Sequence, residues 1–184
     1  MMAARNGADR FGWVTRALHW GTALAVLAAL PLGLWISDME PSLAALRYFG
    51  WHKTLGITVL ALILLRIVWH RVSPPPPPIP SGTVWQDRAA TFVHRAFYLL
   101  LLAMPLSGWI ASSATGIDTV VFGRWTLPRI APVSEAWEEA GFEIHETIAS
   151  LLVVLIVLHV AGAAHRALIH RDGTLRRMVT GQPR

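Results

Sequence analysis

The stretch that decides the fold is Ile144–Leu168, IHETIASLLVVLIVLHVAGAAHRAL, which is apolar and long enough to cross a bilayer as one helix. It carries His145 and His159, fourteen residues apart. Fourteen helical steps of about 100° return to nearly the same angle, so both imidazoles project from one face. A rise of about 1.5 Å per residue separates them by about 21 Å, most of a hydrocarbon core about 30 Å thick. Ionisable rings at both membrane surfaces indicate a function.

Three other apolar stretches have a similar length, at about residues 18–36, 51–70 and 92–113. Pro31 and Pro105 lie within two of them, where neighbouring helices can satisfy the freed carbonyls. Together with residues 144–168, they predict an all-α membrane protein. We expect a four-transmembrane-helix bundle that forms one domain over residues 1–184.

A signal peptide is the competing interpretation of the first stretch, because arginines precede an apolar run. The run is longer than a typical signal core, and no small-x-small cleavage site follows Ile36. The sequence therefore favours a membrane helix here.

The composition excludes several classes of protein. The 184 residues are 54% hydrophobic with a mean hydropathy of +0.47, which is too apolar for an ordinary soluble domain. No cysteine is present, which excludes disulfides, thiolate-bound iron–sulfur clusters and covalently attached c-type haem. A net charge of +5 would suggest nucleic acid as the partner of a soluble protein, but here the basic residues gather on one side of a membrane.

The placement of lysine and arginine predicts the orientation. Twelve arginines fall in or beside the N-terminal tail, the second-to-third connection and the C-terminal tail: Arg5, Arg10, Arg16, Arg66, Arg71, Arg88, Arg95, Arg166, Arg171, Arg176, Arg177 and Arg184. The other two connections hold four basic residues: Arg47, Lys53, Arg124 and Arg129. The positive-inside rule then places both termini in the cytoplasm.

The connections between the spans differ in character. Residues 73–80 contain five consecutive prolines and predict a stiff polyproline spacer. Residues 115–143 form the longest connection, on the outer side, and residues 137–143 are expected to form a short amphipathic helix at the interface.

Antiparallel threading of the spans sets the depth of each histidine. His52 and His145 begin spans that descend from outside, whereas His19 and His159 lie near the cytoplasmic surface. The pairs by depth are His52 with His145 and His19 with His159, and each pair could supply both axial nitrogens of a haem iron. Zinc would need three or four clustered ligands instead. The sequence therefore predicts two haems, although a single interfacial histidine is usually only a hydrogen-bonded polar residue.

The inner pair has a rival, because His94 begins the third span from inside and could replace His19 as a ligand. His94 lies shallower than His159, and it could instead hydrogen-bond a haem propionate or a quinone. The remaining inner histidines, His70, His165 and His170, are interpreted as solvated interfacial side chains.

Cationic side chains near these levels are candidate partners of the anionic haem propionates: Arg16, Lys53 and Arg66. Snorkelling to the lipid headgroups explains Lys53 equally well. Small residues near three of the histidines would leave room for a flat macrocycle: Gly21, Gly56 and Gly162.

The histidine motifs resemble those of the bacterial cytochrome b561 family: Ala17-Leu18-His19-Trp20, Trp51-His52-Lys53-Thr54-Leu55-Gly56, Ile144-His145-Glu146-Thr147 and Leu158-His159. The resemblance covers nearly the whole chain. It implies a multi-pass protein of the bacterial inner membrane with two b-type haems, whose iron ligands are His19, His52, His145 and His159. It also implies electron exchange with the quinone pool, and the superoxide oxidase activity known in this family, in which electrons pass from periplasmic superoxide to ubiquinone.

Two functions follow from this resemblance. The first is a superoxide:ubiquinone oxidoreductase, in which the outer basic residues would steer the anion while eight acidic residues in or beside the outer loops oppose it. The alternative is a non-catalytic cytochrome b subunit that links a partner dehydrogenase or hydrogenase to quinone, against which the short outer loops count. The quinone site is expected near His165 and Arg166.

Overall fold

Four long helices make up most of the protein. In the computed structural model, which describes residues 3–40 and 42–182, they are α1 (Trp13–Ser37), α2 (Leu43–Val72), α3 (Val84–Ala114) and α4 (Glu135–His165). A π-helix (Arg166–His170) continues α4, and a short α5 (Thr174–Thr180) follows. All four long helices are long and apolar enough to cross a membrane, which confirms the predicted fold. Arg184, one of the twelve basic residues used for the orientation, lies outside the described residues.

The long connection between α3 and α4 differs from its prediction in two ways. It contains a hairpin of two short strands, β1 (Thr119–Val121) and β2 (Trp125–Leu127), whose turn has positive φ angles at Phe122 and Gly123. The separate short helix expected over residues 137–143 is instead the beginning of α4. Gly141 allows this part of α4 to pack closely on α3, because a Cβ there would lie 2.9 Å from the Cα of Ala111.

The helices associate as two pairs, α1 with α2 and α3 with α4, whereas α1 and α4 have little backbone contact in the described part of the chain. A small apolar core joins the pairs and takes residues from all four helices: Val26, Val59, Ile63, Leu101, Ile148 and Leu152. Large apolar side chains such as Leu24 and Leu99 are mostly exposed on the outside, as a lipid-facing surface requires. The boundary between the two helix pairs is called the seam below.

The bundle has two distinct ends. At the hairpin end, β1 packs against α2. At the terminal end, the N-terminal segment, the proline-rich connection and the C-terminal segment meet. Asn6 Nδ2 donates to the Ser73 carbonyl (2.8 Å), Arg177 Nη1 to that of Pro77 (3.4 Å) and Arg166 Nη2 to that of Ile79 (2.7 Å). Prolines offer carbonyls but no N–H groups, so this connection is held by donors from other segments.

Arg166 is the centre of the polar contacts at the terminal end. Its guanidinium pairs with the carboxylate of Asp172, and its Nη1 lies 3.9 Å from Oδ1 of Asp87. Burial alone would raise the pKa of Asp172, but the hydrogen bonds from Thr174 and the Arg166 charge outweigh it and hold this pKa below its usual value of 3.8. The carboxylate form of Asp172 therefore stabilises the folded chain.

We expect the stability from Asp172 to be fully present above pH 4 and to be lost as the pH falls through the lowered pKa, since the native state then binds the proton less readily than the unfolded chain. Asp172→Asn should lower the thermal midpoint by several degrees at pH 7, and the difference from the wild type should shrink below about pH 4. Thermal unfolding in detergent measures both. Asp9→Asn, at an exposed carboxylate of the same end, is the control. Equal behaviour of the two variants would contradict the role of Asp172.

Candidate functional site

His52 on α2 and His145 on α4 face each other across the seam at the hairpin end. Their ring centres are 6.0 Å apart, with an angle of 82° between the ring planes. Nδ1 of His52 lies 3.1 Å from the Ala29 carbonyl oxygen on α1, and Nδ1 of His145 lies 2.9 Å from that of Met104 on α3. A carbonyl can only accept, so each Nδ1 carries the proton and each Nε2 is left as the basic nitrogen that can bind a metal.

Two glycines make room for these imidazoles. A Cβ at Gly33 on α1 would lie 2.8 Å from Cε1 of His52, and a Cβ at Gly108 on α3 would lie 2.8 Å from Cε1 of His145. Gly33 lies four residues after Ala29, and Gly108 lies four residues after Met104. One turn of each helix therefore supplies both the carbonyl that accepts from the imidazole and the space that its ring occupies. In both helix pairs, the imidazole on one helix is thus supported by a carbonyl and a glycine of the other helix.

Gly33 and Gly108 were not predicted from the sequence, because neither lies close to a histidine along the chain. Their position could have indicated them, because each follows a proline within an apolar span and lies at the depth of a histidine on the neighbouring helix. The glycines that were singled out border open space. A Cβ at Gly56 or Gly162 would meet no atom within 4 Å, and one at Gly21 would meet only Leu62, at 3.9 Å.

The space between His52 and His145 is an apolar cavity. Side chains from all four helices line it, among them Val26, Leu30, Val59, Met104 and Leu152. Among the described residues that line it, the imidazoles are the only hydrogen-bonding side chains. Such a lining suits a flat apolar group whose metal is bound from both faces.

Three histidines meet near the terminal end, where the sequence predicted one pair and a rival. The ring centre of His159 on α4 lies 6.2 Å from that of His19 on α1 and 5.5 Å from that of His94 on α3. Nδ1 of His19 is buried and has no hydrogen-bond partner. Depth in the bundle therefore does not tell which of His19 and His94 is the partner of His159. The ring of Phe97 also contacts His159, at 5.4 Å.

The three candidate propionate partners have different surroundings. Arg66 lies close enough to His19, His94 and His159 to interact electrostatically with each of them, and its Nε is buried without a hydrogen-bond partner. A buried cation is costly unless an anion compensates it, so Arg66 suits a propionate. Arg16 donates from Nη1 to the Val179 carbonyl (2.9 Å), and Lys53 interacts electrostatically with Asp118.

The donor set fits haem in particular. Two imidazole nitrogens, each about 2 Å from a metal, would put the ring centres about 6 Å apart, which matches both pairs of rings. Among residues 3–40 and 42–182, no group of three or more His, Asp or Glu side chains is arranged to hold a metal ion. A metal bound here by two imidazoles would therefore need its remaining ligands from a macrocycle such as haem.

Comparison with known proteins identifies the same kind of molecule. The family model described as prokaryotic cytochrome b561 matches residues 10–181. The chain is 35% identical to cytochrome b561 homolog 2 of Escherichia coli (strain K12), over 97% of this chain and 95% of the relative. It is 33% identical to cytochrome b561 homolog 1 of the same organism, over 93% and 97%. It is 28% identical to the probable superoxide oxidase CybB of Yersinia pestis, over 88% and 91%.

Side chains added at Gly33 and Gly108 should displace the imidazoles that these glycines accommodate. We expect Gly33→Val and Gly108→Val each to lower the amount of haem b that co-purifies per chain by up to half, because the ring would have to move from its carbonyl partner. A reduced-minus-oxidised spectrum measures this. Gly50→Ala is the control, since a Cβ there meets no atom within 4 Å. Full haem content in both valine variants would show that the close approach is not required.

Proposed function

This chain belongs to the prokaryotic cytochrome b561 family, and from that premise we propose that it is a di-haem cytochrome that passes electrons from the periplasmic side of the membrane to the quinone pool. Family membership makes the chain a multi-pass inner-membrane protein that binds haem b and transfers electrons. The number of haems, their ligands, the electron donor and ubiquinone as the acceptor are the proposed parts.

The observation that carries the proposal is the pair of supported imidazoles at the hairpin end. Bound haem b would supply a one-electron carrier there. His52 and His145 would both bind its iron, which favours electron transfer over the binding of oxygen. The carbonyls of Ala29 and Met104 keep the Nδ1 proton in place and make Nε2 more basic. The apolar lining excludes water from the ring.

The proposed second haem lies at the terminal end, between His159 and His19. The ring distance of 6.2 Å, close to the roughly 6 Å expected of two imidazoles on one metal, supports this choice. His94 is the alternative ligand, since its ring lies closer to His159. Arg66 would compensate the negative propionates in either case. With the positive-inside orientation, the two haems would lie toward opposite membrane surfaces, with the hairpin end in the periplasm.

Superoxide is the proposed electron donor. Two superoxide anions would each give up one electron and leave as O2, while one ubiquinone takes up the two electrons and two protons to become ubiquinol. Of the four basic residues predicted to attract the anion, Arg129 is paired with Asp118 (3.3 Å), whereas Arg47 lies over the ring of Trp51 and Arg124 over that of Trp125. Lys53 adjoins the haem ligand His52 in sequence, so it is the residue that would act closest to the reaction.

One observation favours the alternative of a carrier subunit for a partner dehydrogenase or hydrogenase. The hairpin leaves Phe122 and Trp125 60% and 55% exposed, next to the proposed haem at this end. A partner protein could cover these side chains. Such a subunit would transfer electrons only in complex with its partner, which distinguishes it from a superoxide oxidase.

Removal of one outer ligand should remove one haem. We expect His52→Ala and His145→Ala each to reduce the haem content from two per chain to one, because a haem that would be held by only one histidine loses affinity while the other site is intact. Quantitative haem extraction measures the ratio, and His170→Ala is a control outside both pairs. Two low-spin haems in either outer variant would contradict the pairing.

The same measurement on His19→Ala and His94→Ala identifies the inner ligand. Loss of one haem in His19→Ala, with both haems present in His94→Ala, is the expected result. The reverse pattern would assign His94 as the ligand.

Superoxide oxidation can be measured directly on the purified holoprotein. Given superoxide and a soluble ubiquinone analogue, we expect quinol to form faster than superoxide disappears spontaneously. Lys53→Gln should slow this severalfold at low ionic strength, and added salt should diminish the difference, since steering is screened. Arg71→Gln removes a charge at the other end as the control. A fully haem-loaded protein without quinone reduction would favour the carrier subunit.

A further inference from the structure

We propose that the junction of α4 with the π-helix forms a binding site for a divalent transition-metal ion, with His165 and His170 as its two protein ligands. Both side chains are exposed at the terminal end of the bundle. Their ring centres lie 4.9 Å apart, with an angle of 70° between the ring planes. Neither residue belongs to the proposed haem sites, so this metal site does not depend on the proposed function.

The π-helical geometry places the two histidines on one side of the helix. His170 follows His165 by five positions. In an α-helix, five steps of about 100° would leave the two side chains about 140° apart, on different faces. In a π-helix the backbone hydrogen bonds join residues five apart, so the later side chain lies over the earlier one. Such turns are rare in proteins, and they occur frequently at functional sites.

Polar contacts across the turn hold it in place. The guanidinium of Arg166, the first residue of the π-helix, pairs with the carboxylate of Asp172, two residues beyond its end. Nε of Arg166 also donates to Oγ1 of Thr174 (3.2 Å), and the amide of Thr174 donates to Oδ1 of Asp172 (2.8 Å). The two histidines are therefore carried by a segment whose ends are joined to each other.

The distance between the two rings fits neighbouring positions around one metal ion. With metal–nitrogen bonds of about 2 Å, imidazole ring centres lie about 5 Å apart when the bonds meet at about 100°, and about 6 Å apart when the ligands are opposite each other. The 4.9 Å between His165 and His170 matches the first arrangement, whereas the 6.0 Å between His52 and His145 matches the second. Because both side chains are exposed, water can occupy the remaining positions.

The two imidazoles select the class of ion. Imidazole nitrogens suit Zn²⁺, Cu²⁺ and Ni²⁺, whereas Mg²⁺ and Ca²⁺ prefer oxygen ligands. Asp172 compensates the charge of Arg166, but Arg171 adds a positive charge next to His170. With two protein ligands and this charge beside them, the site exchanges its ion readily.

The test is a titration of the untagged, full-length holoprotein in detergent with Zn²⁺, after treatment with a chelator. Calorimetry measures the affinity and the number of ions bound. We expect one Zn²⁺ per chain, no binding of Mg²⁺, and an affinity about tenfold lower in His165→Ala and in His170→Ala. The double variant should bind no more weakly than either single variant, because both rings hold the same ion.

His70→Gln is the matched control, since it removes a histidine near the end of α2 that does not belong to this pair. It should bind Zn²⁺ as the wild type does, and the haem spectrum of each variant reports whether it is folded. Zn²⁺ should also raise the thermal midpoint of the wild type and the control, but not of the alanine variants. Unchanged affinity in either alanine variant would overturn the proposal. Losses that add up in the double variant would also overturn it, because they would indicate two independent sites.

Discussion

Two hydrogen bonds between an imidazole and a backbone carbonyl are the constraint on which the site depends. Each joins the two helices of one pair, through His52 and Ala29 in the first pair and through His145 and Met104 in the second. Within a membrane no bulk water competes for these groups, and each bond contributes about 1 kcal/mol. They also decide the chemistry, because a ring whose Nδ1 donates to a carbonyl presents its Nε2 as the nitrogen that binds iron.

The bundle is organised around the seam between the helix pairs. Contact is extensive within the pairs, whereas the apolar core shared by all four helices has six buried residues in the described part of the chain. His52 and His145 come from different helix pairs, and so do His19 and His159. Iron ligation by these residues would join the halves of the molecule at two depths. At the terminal end Arg166 adds a polar connection, since it binds Asp172 and the proline-rich connection at once.

Hydropathy predicted the four helices because a membrane span needs about 20 apolar residues, a signal that single polar residues do not obscure. The helices extend beyond the predicted spans, since their polar ends leave the hydrocarbon core. The hairpin was missed because its strands have three residues each, too few for a recognisable alternation, and its turn depends on a positive φ at Phe122.

The depth of each histidine along its span predicted the pair of His52 and His145. It did not distinguish His19 from His94, because both rings lie at similar distances from His159. Gly33 and Gly108 lie on the faces of α1 and α3 that contact the rings of His52 and His145. These faces can be identified only when it is known which helices pack together.

The central claim is that two haems b lie in this seam, each between imidazoles of different helices. The most direct test is the molar ratio of extracted protohaem to protein in a preparation saturated with haem, read together with its absorption spectrum. We predict two haems per chain, both with the spectrum of a low-spin iron that has two histidine ligands. A saturated preparation with one haem per chain, or with a high-spin spectrum, would contradict the account.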